Sequence, residues 1–442
     1  TRAPMGGIEE FLKQYPLSTP AGLSLVTLAE ALLRIPDNAT AIALINEKIL
    51  NAGWVGQGAA TSDALVWFAR YGLGLTKGTL SIPGLKTLAA PVILRAFRLG
   101  MRRMGRQFVM GSTVTRAIQA SRSEMKKGYA LSFDMLGEGA RTDDMADRYF
   151  NSYKQAIHDL AAARHDGTVT NPQTGISVKL SALHPRYTPL HESICRTVVT
   201  ERLLALAQDA KRYHLTLTVD AEETERLTLS LQIIADVAAH DTLDDWQGFG
   251  LAVQAYQKYA PELIDHVIDM SRATRHRLRI RLVKGAYWDS EIKRAQNLGL
   301  KDYPVFTRKT NTDLSYLTCA HKLLSAGDSV YPMFATHNAH TVAAVIDLAA
   351  GAGRGGDTFE FQRLHGMGGP VHDVLLREGR ARSTIYAPVG THEDLLAYLV
   401  RRLIENGANA SFVKQAAMGN PALSLKDPIE TATHHTTRRH QT

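Results

Sequence analysis

Eight short apolar or alternating runs, each followed by room for a helix, and their spread over roughly 280 of the 442 residues, predict an α/β protein whose core is a (β/α)8 TIM-type barrel. A change of texture near residue 129 adds an N-terminal helical arm to that barrel. From "IEEFLKQYPL" to "INEKILNAGW" apolar residues recur at intervals of three and four, with Pro16, Pro20 and Pro36 as punctuation, which is the pattern of short amphipathic helices. Residues 55–120 continue in a helix-like style rich in glycine and basic residues, so 1–120 is assigned to the arm.

The strand candidates follow in order: "YALSFDMLGE" (129–138), "GISVKLSAL" (175–183), "LTLTVDAEE" (215–223), "GFGLAVQAY" (248–256), "RLRIRLVKGAYW" (277–288), "VYPMFATHN" (330–338), "TFEFQRLHG" (358–366) and "RSTIYAPVG" (382–390). Between them lie amphipathic stretches such as "MADRYFNSYKQAIHDLAAAR" and "TDLSYLTCAHKLLSA". The barrel is assigned to 125–415, and 416–442, with "GNPALSLKDP", to a linker or tail. A doubly wound open sheet would need a nucleotide fingerprint. "GAGRGG" (351–356) has the spacing, but it follows a helix pattern and precedes a strand, the reverse of the required order, and is read as a helix-to-strand loop.

Composition narrows the classes. Hydrophobic residues at 45% and charged residues at 21% describe a globular chain. With only Cys195 and Cys319 there is no disulfide framework and no CxxC, so a reducing cytoplasm is expected. The net charge of +8 suits an acidic ligand, nucleic acid or an anionic membrane surface without choosing among them. No basic run interleaved with aromatics appears, so no nucleic-acid partner is expected for this segment. The most apolar stretch, 80–100, is broken by Pro83, Lys86, Pro91 and Arg95 and is not a transmembrane helix. A start at "TRAPMGGIEE", without an initiator Met or signal-peptide core, is compatible with a piece of something longer.

In such a barrel chemistry gathers where strands end. Those ends supply Glu138, Lys179, Asp220, Gln254, Arg281 with Lys284, His337 and Tyr386, leaving only the seventh strand without a polar group. Lys179, Arg281 and Lys284 predict a cationic mouth. Late in the chain, "AYLVRRLIENGAN" places Tyr398, Arg401, Arg402 and Glu405 on one helix face. By itself that is a solvated face with an ion pair contributing about 0.3 to 0.5 kcal/mol. After an eighth strand, however, two planar guanidiniums and a lysine make a clamp for a carboxylate or phosphate, with Tyr287, Trp288, Leu364 and Tyr386 as apolar walls. No nucleophile-base pair or metal-ligand set is evident, so no metal is expected. The residues leave open a Schiff-base lyase using Lys179 or Lys284, a carboxylate-binding module, or a bound redox cofactor.

"DMLGE", "VKLSALHPRY", "VDAEE", "RIRLVKGAYWD", "FATHNAHT", "FEFQRLHGMG" and "IYAPVGTHEDLLAYLVRRLIENGAN", in this order, closely resemble the proline dehydrogenase domain of the bifunctional bacterial flavoenzyme family proline utilisation A. The resemblance covers about 125–415, and "LSTPAGLSLVTLAEALLRIPD" resembles that family's helical arm. It implies a noncovalently bound FAD and oxidation of L-proline to Δ1-pyrroline-5-carboxylate. It implies that Arg401, Arg402 and Lys179 hold the proline carboxylate, that Tyr287, Leu364, Tyr386 and Tyr398 enclose the ring, and that Glu138 pairs with Arg401 as a gate. It places Arg281 near the flavin N5, Gln254 at the ring's polar edge, and Val283, Lys284 and Gly285 close to the cofactor. Asp220, Trp288, Thr307, Arg308, Ala335, Thr336, His337 and Asn338 match further cofactor-region positions. The family pattern adds a membrane quinone as electron acceptor, peripheral association with the inner membrane face, and an aldehyde dehydrogenase domain on the same chain, for which this sequence has no catalytic-cysteine segment.

Overall fold

The computed structural model describes residues 109–390, together with 35, 37–45 and 94–95. Tyr398, Arg401, Arg402, most of the expected arm and the expected tail lie outside the described residues. The chain divides into two units, residues 1–109 with 391–424 and residues 110–390 with 425–442. In the first, α1 (Asn38–Ile45) begins where Asp37 Oδ1 accepts the Thr40 amide at 2.7 Å, satisfying a donor that has no partner in the first turn.

In the second unit eight parallel strands close in sequence order: β1 (Ala130–Met135), β2 (Gly175–Val178), β3 (Thr216–Val219), β4 (Phe249–Gln254), β5 (Leu278–Val283), β6 (Val330–Ala335), β7 (Glu360–Leu364) and β8 (Arg382–Val389). Every strand expected from the sequence is present, and "GAGRGG" is the loop that leads from a helix into β7. Helices follow the first seven strands: α4 (Asp143–His165), α5 (Glu192–Arg212), α6 (Leu227–Ala238), α7 (Ala260–Thr274), α9 (Lys309–Ser325), α10 (Ala339–Gly351) and α11 (Gly369–Arg377), with a short α8 (Trp288–Asn297) inserted between β5 and α9. α4 shows why these boundaries fall where they do. Thr142 caps it by accepting the Met145 amide at 3.2 Å, Asp143 and Asp144 occupy the first turn and Arg164 and His165 the last, each charge matching the helix dipole.

The period-two alternation has two consequences. Leu131, Phe133, Ile176, Val178, Leu217, Ile280, Leu282, Phe361 and Ile385 belong to one buried apolar cluster shared with the helices, where each such side chain contributes about 1.5–3 kcal/mol. The alternate positions, among them Ser132, Asp134, Ser177, Arg279, Arg281, Glu360, Gln362 and Thr384, are buried and polar. Hydrogen bonds joining β5 to β1, β2 and β7 place them in the lumen. The barrel is thus apolar outside its sheet and ionic within it.

Closure between β8 and β1 uses a helix from before the barrel. α2 (Val114–Ala120), followed by the short α3 (Arg122–Lys126), packs on β8 and α4 with Val114, Ala117 and Ile118 buried, and Gly111 pairs in parallel with Val389. The ring position beside β8 is therefore covered by chain that precedes β1.

One buried histidine ties this layer to the strand ends. His372 on α11 is fully buried, with Nε2 3.0 Å from the Thr336 carbonyl and Nδ1 2.7 Å from Ser383 Oγ. The carbonyl can only accept, so Nε2 carries the proton and Nδ1 accepts from the serine. Burial depresses its pKa from 6.5 to about 4. Because the folded value is the lower one, its contribution is complete above about pH 6.5 and is lost as pH falls toward 4. Between pH 7 and pH 5 this site is expected to cost about 2 kcal/mol, and a His372→Gln variant should lose that part of the pH dependence in urea unfolding.

Candidate active site

Three side chains from the barrel strands and their ends meet at one buried ammonium. Lys179, just past β2, donates to Asp134 Oδ1 on β1 (2.7 Å), Asp220 Oδ2 just past β3 (3.0 Å) and Tyr386 Oη on β8 (3.2 Å), which uses all three of its N–H groups. Tyr386 in turn donates to Asp220 Oδ2 at 2.6 Å. Burial alone would lower the Lys179 pKa, but Asp134, Tyr386 and Asp220 outweigh it and hold the value well above that of an ordinary lysine. For Asp220, burial raises and Lys179 and Arg281 lower, and the two cations prevail, keeping its carboxyl below the usual range. Among the described residues Asp134 has one cation and an Oδ2 without a hydrogen-bond partner, and it is fully buried, so burial prevails there and its proton affinity rises.

Arg281 sits across the lumen. From β5 its Nη1 donates to Asp220 Oδ1 (2.7 Å) and Ser177 Oγ (3.0 Å), Nη2 to Ser132 Oγ (3.0 Å), and Nε to Gln362 Oε1 (2.7 Å). β1 lies opposite β5 in the ring, so this one side chain bridges the full width of the barrel. Its guanidinium carbon lies 5.1 Å from the centroid of the Tyr386 ring.

The loops after β4, β5 and β6 form the adjoining rim. Gln254 Nε2 donates to the Glu222 carbonyl at 2.8 Å while its Oε1 accepts the Ala286 amide at 3.2 Å, fixing its orientation. Val283 ends β5, and Lys284 pairs with Asp313 on α9. Tyr287 precedes α8, and Trp288 opens it with 41% exposure, its indole donating to the Phe306 carbonyl at 2.8 Å. Thr307 and Arg308 lead into α9. Ala335 ends β6, the Thr336 amide donates to the Gln362 carbonyl at 3.2 Å, His337 Nε2 accepts the Leu364 amide at 2.9 Å, and Asn338 Oδ1 caps α10 through Thr341 at 3.2 Å. Glu138 lies part-buried in the loop after β1.

Two expectations change. The mouth is not cationic among the described residues: Lys179, Arg281 and Lys284 are neutralised by Asp134, Asp220 and Asp313, partners remote in sequence. And β7, expected to offer no polar group at its end, carries Glu360 and Gln362 further back in the strand, both reaching the lumen. Their signal was the alternation in "FEFQ", whose second and fourth positions are polar. A third finding gives a different reason for Gly285. It has φ +140°, and a Cβ there would stand 2.4 Å from the ring of buried Tyr256, so its own fold already requires glycine. Gly285→Ala is expected to destabilise the protein by about 1–3 kcal/mol or more, with Tyr256→Leu relieving only the clash and not the backbone strain, as measured by denaturant midpoints.

Among the described residues no group of three or more His, Cys, Asp or Glu is placed to hold a metal ion, and no helix is long and apolar enough to cross a membrane.

Comparison with known proteins returns two family matches, one described as Proline dehydrogenase over residues 117–415 and one described as DNA-binding domain of Proline dehydrogenase over residues 7–108. The second description runs against the expectation of no nucleic-acid partner for this sequence, which rested on the absence of a basic run interleaved with aromatics and of a nucleic-acid motif. The Bifunctional protein PutA of Salmonella typhimurium is 45% identical over 444 residues, covering 96% of this chain and 33% of that protein. Proline dehydrogenase 1 of Bacillus subtilis (strain 168) is 29% identical over 328 residues, 74% of this chain and 94% of that protein. A solved structure of a Bradyrhizobium japonicum Proline Utilization A variant matches with a TM-score of 0.72 at 45% identity, covering 98% of this chain and 44% of that one. The chain spans about a third of the length of the PutA proteins it matches.

Proposed function

This chain belongs to the proline dehydrogenase family, and from that premise we propose that its barrel oxidises L-proline to Δ1-pyrroline-5-carboxylate with noncovalently bound FAD, the first step of proline catabolism to glutamate. The observation that carries the reading is the interlocked cluster of Lys179, Asp220, Arg281 and Tyr386 at the strand ends, in which Lys179 is held protonated. A protonated lysine is no amine nucleophile, which weighs against a Schiff-base lyase using Lys179.

The rim residues fit the cofactor by their chemistry. Arg281, Lys284 and Arg308 supply cations, Gln254, Thr336, His337 and Asn338 hydrogen-bonding groups, and the half-exposed Trp288 an open aromatic face. With Asp220, Val283, Gly285, Thr307 and Ala335 they would hold FAD, which when bound accepts the hydride from the carbon next to the proline nitrogen. Arg281 keeps its charge at a fixed point, and fixed charge costs no reorganisation during reaction. Lys179, Arg401 and Arg402 hold the substrate carboxylate. Since Lys179 already spends its three donors, it meets a carboxylate by exchanging one, and Tyr386 at 3.2 Å is the longest of them. Tyr287, Leu364, Tyr386 and Tyr398 enclose the ring, and Glu138 pairs with Arg401 to exclude water from the closed site.

Further readings belong to the same proposal. Electrons pass on to a membrane quinone from a cytoplasmic protein that associates peripherally with the inner membrane face, and an aldehyde dehydrogenase domain accompanies this one. Residues 7–108 contact DNA, as the description of the family they match suggests, and the charge of +8 favours a polyanion.

Arg401→Met tests the clamp. It is expected to raise the KM for proline roughly 100-fold, as loss of a charge-assisted pair does, with FAD retained. An unchanged KM removes Arg401 from the carboxylate site.

A further inference from the structure

Arg281 has three of its four hydrogen bonds on the side that faces β1 to β3, and the fourth comes from a residue with no role in the reading above. Gln362 Oε1 accepts from Arg281 Nε at 2.7 Å, while its Nε2 donates to Glu360 Oε1 at 2.6 Å and lies 3.2 Å from Met333 Sδ. The guanidinium can only donate and the carboxylate can only accept. A flipped amide would set N–H against N–H and oxygen against oxygen, so Gln362 has one orientation. Glu360 is itself immobilised: its Oε2 accepts from Arg279 at 3.3 Å and from Tyr331 at 3.4 Å, and the Arg279 guanidinium lies 4.2 Å from the centroid of the Tyr331 ring. Glu360 and Gln362 are 1% and 2% exposed, so water does not compete for these groups.

We infer that Gln362, locked in one orientation by Glu360, is a positioning residue that fixes the plane of the Arg281 guanidinium from the side of the barrel opposite Asp220. Asp220 and the two serines hold the Nη atoms from one side, and the Gln362 oxygen holds Nε from the other, so that the planar group is restrained at both ends. An amide oxygen does this without adding a second carboxylate to the one that Asp220 already sets against Arg281. In the flavin reading, on which this part rests, the device keeps the guanidinium, already paired with Asp220, in one orientation at the cofactor.

The test has one readout that needs no flavin and one that does. Hydrogen exchange at the Arg281 Nε–H, followed in arginine-labelled protein and assigned by Arg281→Lys, is expected to be slow in the parent and in Gln362→Glu, which keeps an acceptor oxygen. It is expected to be at least roughly tenfold faster in Gln362→Leu and in Glu360→Gln, the scale of one lost charge-assisted bond. Should the leucine variant fail to fold, Gln362→Met keeps the length of the side chain and removes the acceptor. Equal protection in all variants, or fast exchange in the parent, overturns the assignment. In FAD-loaded protein the ratio of reduced to oxidised flavin at a fixed potential should also fall roughly tenfold in Gln362→Leu. A parent protein that takes up no FAD overturns the flavin reading and leaves the exchange result to decide the positioning role. Faster exchange with an unmoved flavin equilibrium keeps the lock and overturns its effect on the cofactor.

Discussion

Lys179→Met is expected to destabilise the protein by about 3–5 kcal/mol at neutral pH, the cost of stranding buried charge. Among the described residues the ammonium is the only cation bonded to Asp134 and one of two bonded to Asp220, so methionine leaves Asp134 buried there with no cation and with Oδ2 already unpartnered. The pH dependence identifies the cause. Without the lysine both carboxyl pKa values rise relative to the parent, and that of Asp134, already raised by burial, rises further above its unfolded value, so the variant is penalised most at high pH and recovers as pH falls and Asp134 takes a proton. Urea unfolding at pH 8 and pH 5 should therefore show a smaller deficit at the lower pH. Adding Asp134→Asn should return part of the loss, because the pair removed together strands less charge than either partner removed singly. A deficit independent of pH would mean that lost packing, and not the charge, is responsible.

Arg281→Lys is expected to reduce proline-dependent turnover by roughly 10²–10³-fold, the range found when one fixed electrostatic donor is removed from a site. The exchange preserves charge but not shape. Four donors in a planar fork reach Asp220, Ser177, Ser132 and Gln362 from β5, and a single ammonium can meet at most three acceptors around one point. Stability should change less than in Lys179→Met, since Asp220 keeps Lys179 and Tyr386. Steady-state kinetics beside denaturant unfolding separate the two effects, and unchanged turnover would remove Arg281 from the chemistry.

The barrel was legible because its strands alternate and its helices are amphipathic, both local properties that survive in a linear string. Lys179, Gln254, Arg281 and Tyr386 were legible for a related reason: a strand end can be found from the run that precedes it. Asp134 was not singled out because it sits inside the run "LSFDML", one residue before the strand stops, where a polar residue reads as ordinary alternation. Yet a parallel strand covered by helices on one face and lumen on the other is usually apolar throughout. Ser132 with Asp134, Ser177 with Lys179 and Glu360 with Gln362 are polar at period two in three strands, and together they mark an ionic lumen. The expected cationic mouth failed on pairing, which is tertiary: Asp134 is 45 residues from Lys179, and Asp313 is 29 from Lys284. Gly285 was connected to a cofactor when a neighbouring tyrosine ring and a positive φ already demand it.

The central claim, a barrel that passes hydride from L-proline to a bound flavin, is tested most directly by the visible absorption spectrum of the purified protein before and after anaerobic addition of L-proline. The account predicts flavin bands near ~450 nm that bleach with proline, since a redox-active cofactor within reach of its substrate behaves that way. A protein that remains colourless after incubation with FAD, or whose flavin bands persist in the presence of proline, would contradict it.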